Sequence, residues 1–531
     1  MTVSENGKMV DESTCNYGVR YIEYDAKNGL RLNGKQLLVN GACVHHDTGV
    51  LGAAAFDAAE IRKVKLMKEA GFNFVRTSHN PTTRAFLDAC DSIGMLVIGE
   101  IYDGWYSSKM KYDYHSILDS IYKQDIKSMV VRDRNHPSVI CWSIGNEVIE
   151  RKDIRVVHTA KKFKNTILKY DSTRPVTEAL YAWDNDWEIY DPHADVLDIV
   201  GYNYMMHKHD SDHERCLERV MWQTESFPRD AFLNWERTKD HSYIVGDIVW
   251  TGLDYLGESG IGQYYYDGEP RGEHYNGKHF PFHGAYCGDV DITGWRKPIS
   301  HYRDILWNTV DGDDCLYIAV REPNFFRRDE VTGTSWSVWP TWESWNWKGW
   351  EGKQIEAVVY TKSPAVNLYL NNKFVASRKV SEATEYQAVF TLNYEAGELK
   401  AVAVDANGKE GVARVLRTSG TANSVRLVPD RRGIKADGQD LCYIIAEIVD
   451  ADGNIVADAN EALDVNVSGA GSFMAAASAS LKDLEPMSSC HVTTFNGRAL
   501  IVVRSAQKGG NINVNVTSKN LKQSKIVVKA G

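Results

Sequence analysis

The 531-residue sequence has no run of 18 apolar residues, no CxxC pair and no surplus of positive charge. The first absence removes any helix long enough to cross a bilayer. The second leaves nine scattered cysteines without zinc-site or disulfide spacing, so they read as buried thiols. A net charge of -10 argues against nucleic acid or an anionic membrane as partner. No GxGxxG opens a helix after the first strand-like segment, so a dinucleotide fold lacks its phosphate cradle. The opening stretch Met1-Thr2-Val3-Ser4-Glu5-Asn6-Gly7 has neither a basic end nor an apolar core and does not read as a signal peptide. What is present is an ordinary globular composition, 43% hydrophobic and 25% charged. The length exceeds one core and suggests three domains.

Residues 1–27 are short and polar, with one strand-like piece, Val19–Tyr24, expected to be either the remnant strand of a preceding sandwich or a strand added to a neighbour. From 28 to 310, apolar strand-like runs alternate with helical patterns, as in a parallel α/β sheet. The strands expected are Gln36–Val44, Asn73–Thr77, Met95–Glu100, Val139–Asn146, Pro175–Ala179, Leu197–Tyr204, Val220–Glu225 and Tyr243–Trp250. Helical patterns include Ala58–Ala70, Thr82–Ile93, Ser116–Arg132 and Ile154–Tyr170. Eight strands over this length fit a (β/α)8 barrel better than an open sheet. After residue 310 the texture becomes short alternating strands with Asn, Asp and Gly turns. It reads as two antiparallel β-sandwiches, 311–420 and an immunoglobulin-like 421–531.

Two acids, Glu147 and Glu225, close apolar strands of the barrel region. A charge there is expensive unless it faces a polar cavity. The carboxyl ends of barrel strands are also where catalytic groups collect. One acid to give a proton and one to attack or to stabilise a cation is what glycoside cleavage needs. Asn146 lies beside Glu147 and could hold a sugar hydroxyl. Arg76 and His79 end the second strand, where a cation suits a carboxylate. Arg76 is expected to orient the nucleophile without touching substrate. His45-His46-Asp47 ends the first strand; a metal is conceivable there, but a hydroxyl-binding His45 is favoured and no metal or cofactor is expected. Trp250 offers a flat face for a pyranose, Tyr204 a phenol, and Asp103, Trp105 and Tyr106 follow the third strand. Six tryptophans between 336 and 350 call for a partner surface. They either glue the first sandwich to the barrel or overhang the pocket. A carbohydrate-binding protein without turnover is the alternative from another class, though it has no need of two such acids.

The stretches Leu32–Lys35, Asn40–Asp47, Arg76–Pro81, Arg132–Glu147 and Val245–Tyr255 resemble glycoside hydrolase family 2, the β-galactosidase, β-glucuronidase and β-mannosidase family. The resemblance implies Glu147 as acid/base and Glu225 as nucleophile of a retaining, exo-acting reaction through a covalent glycosyl-enzyme. His45, His79, Asp103, Asn146, Tyr204 and Trp250 would line the sugar site. Family members carry sandwich domains before the barrel, and only their final strand is expected here. Thr224-Glu225-Ser226-Phe227 departs from the commoner Thr-Glu-Tyr-Gly. The Asn-x-Lys feature that holds a uronate is missing around Gly288–Pro298, which favours a neutral sugar, galactose first, over a glucuronide. The expected partner is a glycoside or oligosaccharide, and homo-oligomerisation stays open. So does the compartment, a longer form being expected as periplasmic or secreted and bacterial.

Overall fold

A computed structural model of the chain describes residues 2–14, 16–181, 186–269, 271–276 and 279–531. Eight parallel strands close into a barrel: Val39–Val44, Phe74–Thr77, Leu96–Glu100, Val139–Asn146, Val176–Leu180, Val200–Asn203, Met221–Ser226 and Ile244–Val249. Each coincides with an expected run to within a few residues. Strands four, seven and eight are buried at every position, so their apolar residues do not alternate with exposed polar ones.

The helices between them follow the same local rules. In Arg84–Ile93 the Thr83 side chain accepts from the Phe86 N–H, and Gly94 ends the helix in the left-handed conformation that a glycine adopts freely. Phe86, Leu87, Ala89 and Cys90 form its buried face. Helix Pro298–Trp307 starts on a proline, which is preorganised for a first turn, and stops at a left-handed Asn308.

The segment before the barrel takes part in a small sheet. Ile22–Asp25 pairs antiparallel with Gly29–Leu32, which pairs with Lys35–Gln36. A boundary at residue 27 therefore cuts a hairpin, and this strand belongs to a small sheet with the residues after it. Thr2–Glu5 and Lys8–Glu12 form a separate exposed hairpin.

Two compact units divide the chain: residues 1–41, 73–225 and 237–248, and residues 42–72, 226–236 and 249–531. The second contains both sandwiches. In the first sandwich, two four-stranded antiparallel sheets enclose a core of Leu316, Val359, Leu368, Phe390 and Leu399, with Trp345 and Trp347 buried among them. In the C-terminal one, Ile444, Ile501, Val465, Val514 and Val528 meet between a four-stranded and a five-stranded sheet. Gly433–Ile434 pairs parallel with Lys529–Ala530 at one edge of the five-stranded sheet.

The tryptophan-rich stretch is mainly glue. Trp345 donates to the Glu395 carbonyl from inside the core, and Trp342 meets Phe495 of the C-terminal sandwich edge-on. Trp336 packs edge-on against Phe227 and His274. Eight of the nine cysteines fall in described residues. Five of the eight are buried and Cys490 is exposed.

Removing a fully buried indole loses its transfer energy and leaves a cavity. Trp345→Ala should lower the stability of the first sandwich by about 3–5 kcal/mol. The loss would appear as an earlier denaturant transition, and an unmoved midpoint would exclude Trp345 from the core.

Candidate active site

Strand seven carries Glu225 to its carboxyl end, where the side chain is 4% exposed. Both of its oxygens face donors. Oε1 accepts from Arg76 Nη1 at 2.8 Å, and Oε2 accepts from the Tyr204 hydroxyl at 2.8 Å. Arg76, at the end of strand two, is completely buried. Its Nε and Nη2 donate to one oxygen of Glu100 at 2.9 and 2.7 Å, and Nη2 also donates to Asn146 Oδ1 at 2.9 Å. One guanidinium thus serves two buried carboxylates, and its planar fork suits that task better than a lysine would. Burial alone would push the Glu100 carboxyl up; the Arg76 charge and the His79 bond outweigh it and hold the group below its ordinary range.

Glu147 follows directly on strand four. Its Oε1 accepts from Asn203 Nδ2 at 2.9 Å; the same amide reaches Asn146 Oδ1 at 3.1 Å, and Asn203 Oδ1 accepts from the Thr224 hydroxyl at 2.7 Å. The register of strands six and seven shifts between Tyr202 and Asn203, which sets Asn203 opposite Glu225. The Glu147 carboxyl is pushed up to about 7, by burial first and by the Glu225 charge second. These two acids therefore feel one another within a single polar network.

Backbone strain accompanies the arrangement. Glu147 and Tyr204 both sit at positive φ, 41° and 56°. Such a conformation costs a non-glycine residue about 1–3 kcal/mol. Ladder-like bonds hold them there: Glu147 N–H donates to the Ala179 carbonyl and Tyr204 N–H to the Glu225 carbonyl, each at 2.8 Å. Just upstream, Gly145 is required by close approach, since a Cβ there would lie 2.8 Å from Trp105 Nε1. That same nitrogen donates to the Ile144 carbonyl.

His79 Nδ1 bonds Glu100 Oε1 at 2.7 Å, and its Nε2 lies 3.9 Å from Glu225 Oε1. Burial lowers the proton affinity of His79, but the Glu100 bond and charge raise it further, so the net shift is upward. Asp103 accepts from Lys109 Nζ at 2.8 Å and from Asn146 Nδ2 at 3.1 Å. Arg76, His79, Asp103, Asn146, Glu147, Tyr204 and Glu225 thus form one connected group.

His45 and Trp250 belong to a second group, which extends strands one and eight. His45 stacks on Tyr255 with centroids 4.1 Å apart, its Nε2 3.8 Å from Glu258 Oε2, and Trp250 stands at right angles to both rings. Trp250 is 3% exposed. Lys63 Nζ donates to the His45 carbonyl at 3.0 Å.

Sequence reasoning passed over Glu100, Asn203 and Lys109. Glu100 was findable, because it ends an apolar strand just as Glu147 and Glu225 do. Lys109 lies in a polar loop, and nothing local marks its three-oxygen seat on Asp103 and Asn146. Among the described residues, Asp88, Asp91 and His136 bring ligand-type atoms within 4.8 Å of one another. Asp91 is engaged there by His136 and by the Ser138 N–H.

Three family models match the chain. They are the TIM-barrel domain of glycosyl hydrolases family 2 over residues 25–229, a domain of unknown function over 352–412, and the family 2 C-terminal domain 5 over 425–527. A solved structure of a family 2 member from Bacteroides cellulosilyticus superposes with a TM-score of 0.92 at 36% identity, covering 100% of this chain and 67% of that one. The chain belongs to glycoside hydrolase family 2. A β-galactosidase of Bacteroides ovatus is 26% identical over 99% of this chain and 65% of its own length. A β-glucuronidase of Bacteroides fragilis is 32% identical over 33% of this chain and 26% of its own. The chain thus spans less than two thirds of these curated relatives.

A carboxyl whose folded pKa lies near 7, above its unfolded value of about 4.5, favours folding while protonated and costs stability as pH rises between those values. An amide at the same place carries no such cost. Glu147→Gln should therefore melt at a higher temperature than the parent at pH 8, with the gap closing toward pH 5. A gap that stays constant with pH would contradict the raised pKa.

Proposed function

We propose that this family 2 chain carries the catalytic apparatus of a retaining, exo-acting β-galactoside hydrolase. The single observation behind the reading is the contrast between its two acids. Glu147 is pushed up to about 7 and can hold a proton near neutrality, while Glu225 has a donor on each oxygen. The first condition suits a general acid and the second an anionic nucleophile.

In the first displacement, Glu225 Oε attacks the anomeric carbon and the glycosidic C–O bond breaks. Glu147 gives its proton to the departing oxygen, leaving a glycosyl ester on Glu225 and a free aglycone. With the Glu225 charge consumed, the second cause of the raised Glu147 pKa disappears. Glu147 then serves as base for water, which cleaves the ester and restores both carboxyls. Arg76 positions Glu225 and partly neutralises it. Tyr204 holds the other nucleophile oxygen. His79, Asp103 and Asn146 would bind the glycone hydroxyls.

A neutral glycone is supported by the engagement of the candidate cations. Lys109 already serves three oxygens, and Lys297 bonds Asp254 at 2.7 Å while lying over the Tyr286 ring. The Bacteroides ovatus β-galactosidase aligns with nearly the whole chain. The β-glucuronidase of Bacteroides fragilis supports a glucuronide as the second reading.

On 4-nitrophenyl β-galactoside, Glu225→Gln should reduce turnover to background with the fold retained; undiminished turnover would remove Glu225 from the mechanism. Hydrolysis of the matching glucuronide but not the galactoside would select the second reading. The parent's kcat/KM should fall as pH rises through about 7, as Glu147 loses its proton. Glu147→Gln should lose that limb and about 10²–10⁴-fold of rate on a poor leaving group, but far less on 2,4-dinitrophenyl galactoside. Equal losses on both leaving groups would contradict the acid role.

A further inference from the structure

One face of the first sandwich changes chemistry along its length. Tyr317, Ala319, Val358 and Tyr360 of Leu316–Arg321 and Gln354–Thr361 pack against Ile299 and Tyr302 of helix Pro298–Trp307. Farther along the same face, Arg321, Glu356 and Thr391 lie side by side in register across three adjacent strands. This polar row floors a cleft of about 690 Å³, with Gln354 and Gln387 beside it and Trp339 on its wall.

Trp339 is the tryptophan that the rest of the fold leaves unexplained. At 41% exposed, it is more open than any other tryptophan among the described residues. It is nevertheless fixed, because its Nε1 donates to the Glu322 carbonyl at 3.0 Å. Glu322 is itself buried and accepts from Trp342 Nε1 at 3.1 Å. An indole with a satisfied N–H and an open ring is a rigid apolar platform, and ordering it on binding costs little entropy.

We infer that this cleft is a non-catalytic binding site for a neutral oligosaccharide, with Trp339 stacking on a sugar ring and the polar row hydrogen-bonding its hydroxyls. The chemistry of the walls selects that class. Sugar hydroxyls donate and accept together, and glutamine amides, a threonine hydroxyl and an Arg–Glu pair answer both roles. Arg229 and Arg321 line the cleft together with Glu322 and Glu356, two charges of each sign, and Arg321 Nη1 stands 3.3 Å from Glu356 Oε2, so no net field recruits a polyanion. The volume falls within the usual range for ligand pockets, about 300–1,000 Å³. The site needs neither Glu147 nor Glu225, so it stands or falls separately from the proposed hydrolysis.

Affinity gel electrophoresis of the full chain tests it, with β-1,4-galactan, galactomannan or xyloglucan in the gel and polygalacturonate as the anionic control. At least one neutral polymer should retard the parent. Trp339→Ala should weaken that retention about tenfold, as expected for loss of a central aromatic anchor, and Trp339→Tyr should keep much of it. The parent and both variants should share one thermal melting midpoint and one far-ultraviolet circular dichroism spectrum, which shows that they fold whether or not the chain hydrolyses a galactoside. The inference is overturned if no neutral polymer retards the parent, if polygalacturonate alone does, or if Trp339→Ala binds as well as the parent. That last result would assign the binding elsewhere on the chain.

Discussion

The site depends on one buried cation. Arg76 lies between Glu100 and Glu225 with no exposure to water, and each carboxylate would be costly without it. Removing the guanidinium would leave two buried acids without their shared cation. Glu100 is therefore more than a spectator, since it completes the neutralisation of Arg76 and fixes its plane. His79 and Ser143 then bond to Glu100, so second-strand, third-strand and fourth-strand ends share one network. The asymmetry of the two remaining acids follows from this placement. Glu225 receives the arginine, whereas Glu147 receives only an amide and faces the Glu225 charge.

Two strained residues lie where the chemistry is expected. Positive φ at Glu147 and Tyr204 turns side chains that strand geometry would otherwise send elsewhere. The barrel holds both turns through backbone bonds to neighbouring strands. A closed parallel barrel suits this purpose, because every strand end has a hydrogen-bonded neighbour on each side.

The sandwich region repeats the theme with neutral groups. Glu322, at the end of a sheet strand, accepts from Trp342 and Tyr266 while its carbonyl takes Trp339. The tryptophan stretch is thereby divided into three fates: Trp345 and Trp347 enter a core, Trp342 reaches the C-terminal sandwich, and Trp339 stays open. Sequence alone left gluing and overhang equally open. The indole acceptor does not decide this, since Trp339 and Trp342 both donate to Glu322; the rings part by what packs against them, Phe495 in the case of Trp342.

Much of this protein was legible in its sequence. The eight barrel strands, the principal helices and the alternating strands of both sandwiches show as hydrophobic periodicity and turn chemistry, which are local properties. Glu147 and Glu225 were visible because a charge closing an apolar strand stands out against that pattern. The strand near Ile22–Asp25 was visible too, but not its partner Gly29–Leu32, since a sequence shows a strand without showing what it pairs with. Tertiary structure alone decided which acid Arg76 would clamp and that Glu100 would share it. It also placed Asn203 beside Glu147 and left Trp339 over a polar cleft. Those outcomes rest on the register of parallel strands and on side chains meeting from distant positions, and a pattern read along one chain carries neither.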